Sequence, residues 1–220
     1  MGMSVCDVVI PCRDEALALP TVLAALPAGW RAVVVDNGSS DGTGEVARSL
    51  GATVVHESQP GYGAAVHAGL TAVTSEHVAV IDGDASMDIA DLVPMLELVR
   101  SGAVTMAVGR RRPVARGVWP WHARLGTKAL AALIRRRSGI PIHDLAPMRV
   151  CRTEDVLALG VQDRRFGYPL ELMLRASEDG WQVAELDVDY RPRAVGTRSK
   201  VSGSVRGTVR TIHDFAAVLR

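Results

Sequence analysis

Cysteine is scarce in this 220-residue chain, with only Cys6, Cys12 and Cys151 present. Their odd number and wide spacing exclude a disulfide framework and a cysteine-based metal site, and fit reduced thiols in a cytosolic protein. No apolar run reaches the roughly 18 residues that a membrane-spanning helix needs. No secretory leader is expected either, because Met1 to Ile10 runs directly into what reads as a core strand. Net charge is almost absent, at +1, which argues against a general nucleic-acid binder. There is no repeat of solenoid period, no long linker and no low-complexity tract, so a single domain over 1–220 is expected. No G-x-G-x-x-G follows the first strand and no G-x-x-x-x-G-K-[ST] occurs, which excludes the dinucleotide-binding fingerprint and the P-loop.

What the chain does contain is 48% hydrophobic residues, enough to bury a good core. Its charge is unevenly divided. Residues 1–100 hold 4 Lys+Arg against 13 Asp+Glu, and the remaining 120 hold 21 against 11. The acidic half, 1–109, offers metal ligands, and the basic half, 110–220, offers partners for phosphate or an anionic surface.

Strand and helix alternate through the first half. Strands are expected at Val5–Pro11, Ala32–Val35, Ala52–His56, Val78–Ile81 and Ala103–Val108. Helices are expected at Ala16–Leu26, with Pro20 in the first turn or at a kink, and at Gly44–Leu50, Ala64–Val73 and Ile89–Arg100. This order predicts an α/β fold, a mostly parallel sheet with right-handed crossovers and helices on both faces. The second half is less regular. Gly109 to Pro113 reads as a basic loop and Trp119–Arg137 as a helix with Leu125, Ala129, Ala132 and Leu133 on its apolar face. Met148–Cys151 and Gln182–Tyr190 read as strands. Thr153–Leu159 is a helix with Thr153 as N-cap, and Leu170–Glu178 a helix closed by Gly180. Arg191–Ser204 is a basic loop before a terminal helix, Val205–Leu219.

The chemistry concentrates at strand ends. The fourth strand stops at Asp82-Gly83-Asp84, two carboxylates one residue apart. Hard oxygen ligands at the carboxyl edge of a parallel sheet suit Mg²⁺ or Mn²⁺ completed by water and substrate phosphates. An acidic turn after a strand is the plainer reading. Asp14 and Glu15 follow the first strand, Asp36 the second, and Gly61-Tyr62-Gly63 the third, all on the same edge. Asp36 could accept a hydrogen bond from a nucleobase N–H. Gly61 and Gly63 would let a ligand approach the backbone and the following helix N-terminus, or are plain turn glycines.

Four segments, Val8 to Glu15, Val35 to Thr43, Gly61 to Ala65 and Asp82-Gly83-Asp84, resemble the family 2 glycosyltransferases. His143 to Arg149, Glu171, Tyr190 to Arg193 and Gly196 to Lys200 are similar to the branch that holds the polyprenyl- and dolichyl-phosphate sugar synthases. The resemblance implies a GT-A fold, a nucleotide-diphosphate sugar donor (UDP or GDP) and an acceptor such as polyprenyl phosphate. By it, Pro11, Asp14, Glu15 and Asp36 frame the base and ribose, and Asp82 and Asp84 hold Mg²⁺ or Mn²⁺ and the donor. Arg193, Ser199 and Lys200 then lie on a loop near the pyrophosphate or the acceptor, with Arg149 and Glu171 on the acceptor side.

Several residues carry more than one reading. Asp144 is a general base for a hydroxyl acceptor, a positioning group for a phosphate acceptor, or a carboxylate paired with Arg149 or a loop amide. Glu171 is a site residue or a first-turn acid favoured by the helix dipole. Arg110–Arg112 and Arg135–Arg137 are a solvated loop and a helix end, or both face anionic lipid in a peripheral membrane contact. Trp119 and Trp121 read as core, with insertion into a membrane interface as the other reading, and His122 and His143 have no metal-ligand partners at useful spacing. Two other functions fit the first half: a nucleotidyltransferase, although Cys12-Arg13-Asp14-Glu15 lacks a Gly- and Lys-containing loop, and a protein that binds nucleotide sugars without transferring them.

Overall fold

The computed structural model describes residues 4–145 and 147–194. These form one seven-stranded sheet in the order β3-β2-β1-β4-β6-β5-β7. The strands are β1 (Asp7–Cys12), β2 (Arg31–Asp36), β3 (Thr53–His56), β4 (His77–Val80), β5 (Met106–Pro113), β6 (Arg149–Arg152) and β7 (Val183–Tyr190). The helices are α1 (Leu19–Ala24), α2 (Thr43–Ser49), α3 (Tyr62–Ala72), α4 (Leu92–Arg100), α5 (Trp121–Ser138), α6 (Thr153–Ala158) and α7 (Tyr168–Glu178). No described helix is long and apolar enough to cross a membrane. The expected terminal helix lies outside the described residues.

Strand alternation explains the two-sided core. Val9, Val33, Val35, Val78 and Val80 face α3, α5 and α7, while Val8, Ile10, Val34 and Ala79 face α1, α2 and α4. A strand covered on both faces needs apolar side chains at every position, which is why β1 reads as a nearly continuous apolar run. β1, β2, β3 and β4 are mutually parallel. The chain builds outward from β1 through β2 to β3, then crosses back to place β4 on β1's other side. That reversal opens a crevice at the carboxyl ends of β1 and β4, where ligands bind in such sheets.

The second half departs from the expected pattern. β6 runs antiparallel to both β4 and β5, and β5 pairs in parallel with β7. The basic stretch Arg110–Arg112 is not a loop: it extends β5, with Arg110 opposite Asp187 and Arg112 opposite Asp189. Alternating cations and anions across the two strands offset the charge that would expel either alone. Thr153 is the first residue of α6 rather than its cap, and its hydroxyl donates to Ser75 O at 2.8 Å. On α5 the buried residues are Ala131 and Ile134, whereas Leu125 and Ala129 of the expected face are exposed. α5 starts before it reaches the body of the protein, so only its second half packs.

One buried charge ties β1 to its neighbours. Asp7 is fully buried and accepts from the Arg31 guanidinium and from the amides of Thr74 (2.8 Å) and Ser75 (3.2 Å). Burial pushes its pKa up, but the Arg31 and amide hydrogen bonds outweigh that and hold it below the usual carboxylate range. The stability gained is fully present above the unfolded-state value and is lost as pH falls through the lower folded-state value. Asp7→Asn is expected to cost about 2–3 kcal/mol at neutral pH, the low end because the Arg31 side chain is 36% exposed. The same change should flatten the loss of stability below about pH 4, as read by urea unfolding across pH.

Candidate active site at the carboxyl edge

Beyond β4, Ile81 N–H still donates to Val9 O, so the pairing with β1 carries the chain to Asp82. Gly83 lies directly over β1: a Cβ there would stand 2.5 Å from Cys12 Sγ and 3.2 Å from Ile10 Cγ2. Asp84 turns inward and is 2% exposed, with Oδ1 accepting from Ser86 N–H at 2.9 Å. Ala85 adopts a left-handed φ of 60°, a strained conformation for a residue with a Cβ. The segment after β7 packs on this turn. Arg191 N–H donates to Ser86 O, Ala194 N–H donates to Asp84 O, and Arg193 Nη1 lies 2.9 Å from Asp84 Oδ2.

Asp82 is half-buried, and among the described residues no hydrogen bond or ion pair reaches its carboxylate. Its pKa is pushed up to about 6, first by burial and then by the charge of Asp84, against the pull of Arg193, Arg111 and Arg149. Two crowded acids, one of them without a partner, fit a divalent cation. No group of three or more His, Cys, Asp or Glu that could hold a metal occurs among the described residues. The donor set suits an ion that keeps water and takes its other ligands from phosphate, as Mg²⁺ and Mn²⁺ do.

The remaining strand-end acids sit at the ends of β1 and β2, where two loops interlock. Asp14 N–H donates to Ser39 Oγ, and Asp14 Oδ1 accepts from Ser40 N–H at 2.9 Å. Glu15 N–H donates to Thr43 Oγ1, and Ala16 N–H to Asp41 Oδ2. Asp36 accepts from Ser39 N–H, and its second oxygen lies 3.6 Å from His56 Nδ1. Pro11 is in β1 opposite Val35. Asp14, like Ala85, has a left-handed φ (54°), so strained backbone flanks the crevice on both sides.

Gly61 and Gly63 make room for the protein's own backbone rather than for a ligand. A Cβ on Gly61 would stand 2.1 Å from Arg164 O, and one on Gly63 2.5 Å from Asp163 O. The first amides of α3 are already used: Gly63 N–H donates to Arg165 O and Ala64 N–H to Arg164 O. Gly61 N–H donates to Asn37 Oδ1, while Asn37 Nδ2 donates to Glu57 O and Gln59 O. Glu171 anchors the far side of this contact by accepting from the amides of Gln162 and Asp163 and from Arg175 Nε. Burial opposes its charge, but those donors win and hold its pKa low. Arg149 is on β6, within the strand expected at Met148–Cys151. It is buried and donates to Tyr62 Oη at 3.0 Å.

Asp144 pairs with Arg111 rather than with Arg149. Arg111 Nε and Nη2 reach its two oxygens at 2.8 Å each, and Arg111 N–H adds a third bond. Such a buried, two-pronged pair fixes both side chains. Arg111 also stacks over Trp119, 4.2 Å from the ring centroid, which makes Trp119 part of the packed interior. Trp121, by contrast, is 76% exposed. Glu185 holds the Asp144 turn from below by accepting from the amides of His143 and Asp144. Beside this pair opens a cavity of about 290 Å³ walled by Arg110, Arg111, Arg112, Arg124, Lys128 and Arg135. Among the described residues, neither Arg124 nor Lys128 has a carboxylate partner. Arg111 thus lines the cationic cavity, and its charge also acts on Asp82.

Sequence reasoning did not find Asn37, Glu185, Arg124 or Lys128, and it read Arg111 only as part of a solvated or lipid-facing basic loop. The alternation of Arg110 and Arg112 with acids at 185, 187 and 189 was the available signal that these stretches pair. Ser199 and Lys200 lie outside the described residues. Gly83→Ala is expected to force the carboxylate turn off Cys12 at a cost of about 1–3 kcal/mol. Adding Cys12→Ala should restore much of that loss, as read by thermal unfolding.

Comparison with known proteins agrees with the fold and the strand-edge motifs. An uncharacterized glycosyltransferase of Mycobacterium tuberculosis is 56% identical over 212 residues, covering 96% of each chain. The polyprenol monophosphomannose synthase of Mycolicibacterium smegmatis is 31% identical over 216 residues, 90% of this chain and 81% of that one. The crystal structure of glucosyl-3-phosphoglycerate synthase from Mycobacterium tuberculosis with Mn²⁺, UDP and glucosyl-3-phosphoglycerate superposes with a TM-score of 0.75 at 19% identity, over 99% of this chain and 79% of that one. That likeness carries the GT-A fold. The family model described as glycosyl transferase family 2 matches residues 7–156, and the chain belongs to that family.

Proposed function

We propose that this glycosyltransferase moves a hexose from a UDP- or GDP-sugar to a polyprenyl phosphate, with inversion at the anomeric carbon. The observation that carries this reading is Arg111, whose charge acts on Asp82 and which lines a cavity whose Arg124 and Lys128 have no acid partner among the described residues. A donor at the carboxylates and an anion in the cavity would then meet across one guanidinium. The names of relatives support the choice of acceptor: one is a polyprenol monophosphomannose synthase.

In this reading Asp36 accepts the N–H of the base, and Pro11, Asp14 and Glu15 frame the nucleotide. A divalent ion bound at Asp82 and Asp84 supplies charge neutralisation to the diphosphate. Arg193, beside Asp84, contributes a second positive charge to the departing nucleotide. An oxygen of the acceptor phosphate forms the new bond to the anomeric carbon as the bond to the donor diphosphate breaks, and the electron pair leaves with the nucleotide. Both oxygens of Asp144 are engaged by Arg111, so Asp144 orients that guanidinium instead of taking a proton. A phosphate acceptor is already anionic and needs no base, which fits a cavity whose one carboxylate among the described residues, Asp144, is held by Arg111.

Binding of UDP and GDP measured by calorimetry with and without Mn²⁺ tests the donor half. Asp82→Asn is expected to remove the cation dependence and to lower turnover by about a hundredfold or more. Arg124→Gln with Lys128→Gln is expected to raise KM for a short-chain polyprenyl phosphate at least tenfold while leaving nucleotide affinity unchanged. Transfer to a neutral alcohol in preference to the phosphate would overturn the acceptor assignment.

A further inference from the structure

The stretch from Gly109 to Gly139 contains nine Arg and Lys and no Asp or Glu. Part of that charge is neutralised by the acids of β7, where Arg110 and Arg112 pair with Asp187. The rest rides on α5 and the segment leading into it. Only the second half of α5 packs on the body, through Leu130, Ala131 and Ile134. In the first half, Trp121, Arg124, Leu125 and Lys128 are all exposed. Their spacing of i, i+3, i+4 and i+7 sets them on one stripe of the helix.

Trp121 is 76% and Leu125 60% exposed, one turn apart, with Val114 at 50% in the preceding segment. Arg124 and Lys128, interleaved with them, also wall the cationic cavity. The stripe is thus apolar at its tip and positively charged along its length, and it leads into the site proposed for the acceptor phosphate. Nucleic acid would be matched by the charge and by Trp121 but has no use for Leu125 and Val114. An amphipathic helix with Trp and Leu among basic residues and no acids is the chemistry of a bilayer interface rich in anionic headgroups.

We propose that the first half of α5 docks on an anionic phospholipid surface, with Trp121 and Leu125 entering the interface and Arg124 and Lys128 facing the headgroups. The cavity mouth would then open at the level where a membrane-bound polyprenyl phosphate presents its headgroup. The purpose of the contact rests on the acceptor reading above. The contact itself needs neither donor, cation nor acceptor, so the two can fail separately.

The test uses the full chain and vesicles of phosphatidylcholine, alone or mixed with phosphatidylglycerol. The wild type is expected to sediment with the mixed vesicles and not with phosphatidylcholine alone, and to be released as salt rises. Trp121→Ala with Leu125→Ser is expected to reduce partitioning by roughly tenfold or more while transfer to a water-soluble short-chain acceptor is retained. Independently of any variant, brominated lipid should quench part of the wild-type tryptophan fluorescence, and Trp121→Phe should remove that part. Wild-type protein left in the supernatant with mixed vesicles overturns the proposal. So does vesicle binding that the double variant leaves intact, or light scattering that shows this face closing a dimer which excludes lipid.

Discussion

Two carboxylates at the end of a buried strand cannot both stay charged without a counterion, and the site is arranged around that constraint. Three guanidiniums act on Asp82, from Arg193, Arg111 and Arg149, yet its pKa still rises to about 6. Each arrives from a different part of the chain: Arg111 from β5, Arg149 from β6 and Arg193 from beyond β7. The acidic half alone would therefore be an incomplete site. The charge asymmetry between the two halves of the sequence reflects this division of labour, with acids supplied by β1, β2 and β4 and the compensating cations by the later strands.

The guanidiniums are themselves restrained, because a loosely held cation near a carboxylate contributes little. Arg149 is buried and donates to Tyr62. Arg111 is clamped between the two oxygens of Asp144 and the face of Trp119. Asp144 is in turn held by Glu185 through its backbone amide. Holding dipoles and charges in place before a substrate arrives is the larger part of electrostatic catalysis. Asp144, which from sequence reads as a base, a positioning group or an ion-pair partner, has both oxygens bonded to the Arg111 guanidinium.

The first half of the fold was legible because its rules are local and repetitive. Apolar runs ending in acid–glycine clusters give buried parallel strands and place Asp14, Asp36 and Asp82 on one edge. In the second half most strands and helices were legible too, but not how the strands pair, because that depends on contacts across long sequence separations. Nothing within Gly109 to Pro113 says strand; only the acids of β7, some 75 residues on, make it one. Gly61 and Gly63 show the same limit. Their need for space was evident, but the occupant of that space, the backbone of 163–165, comes from a distant loop. The exposed apolar stripe of α5 was hidden for a related reason: periodicity identifies a helix without saying where along it the protein body begins.

Cys12 sits beneath the carboxylate turn with its sulfur against Gly83, and it is 2% exposed. Burial, followed by the nearby charges of Glu15, Asp82, Asp36 and Asp84, pushes its thiol pKa well above the ordinary range. A sulfur so shielded and so rarely ionised is inert toward alkylating reagents while the turn is closed. Its labelling rate, resolved from those of Cys6 and Cys151, consequently serves as a built-in gauge of how often the floor of the crevice breathes open.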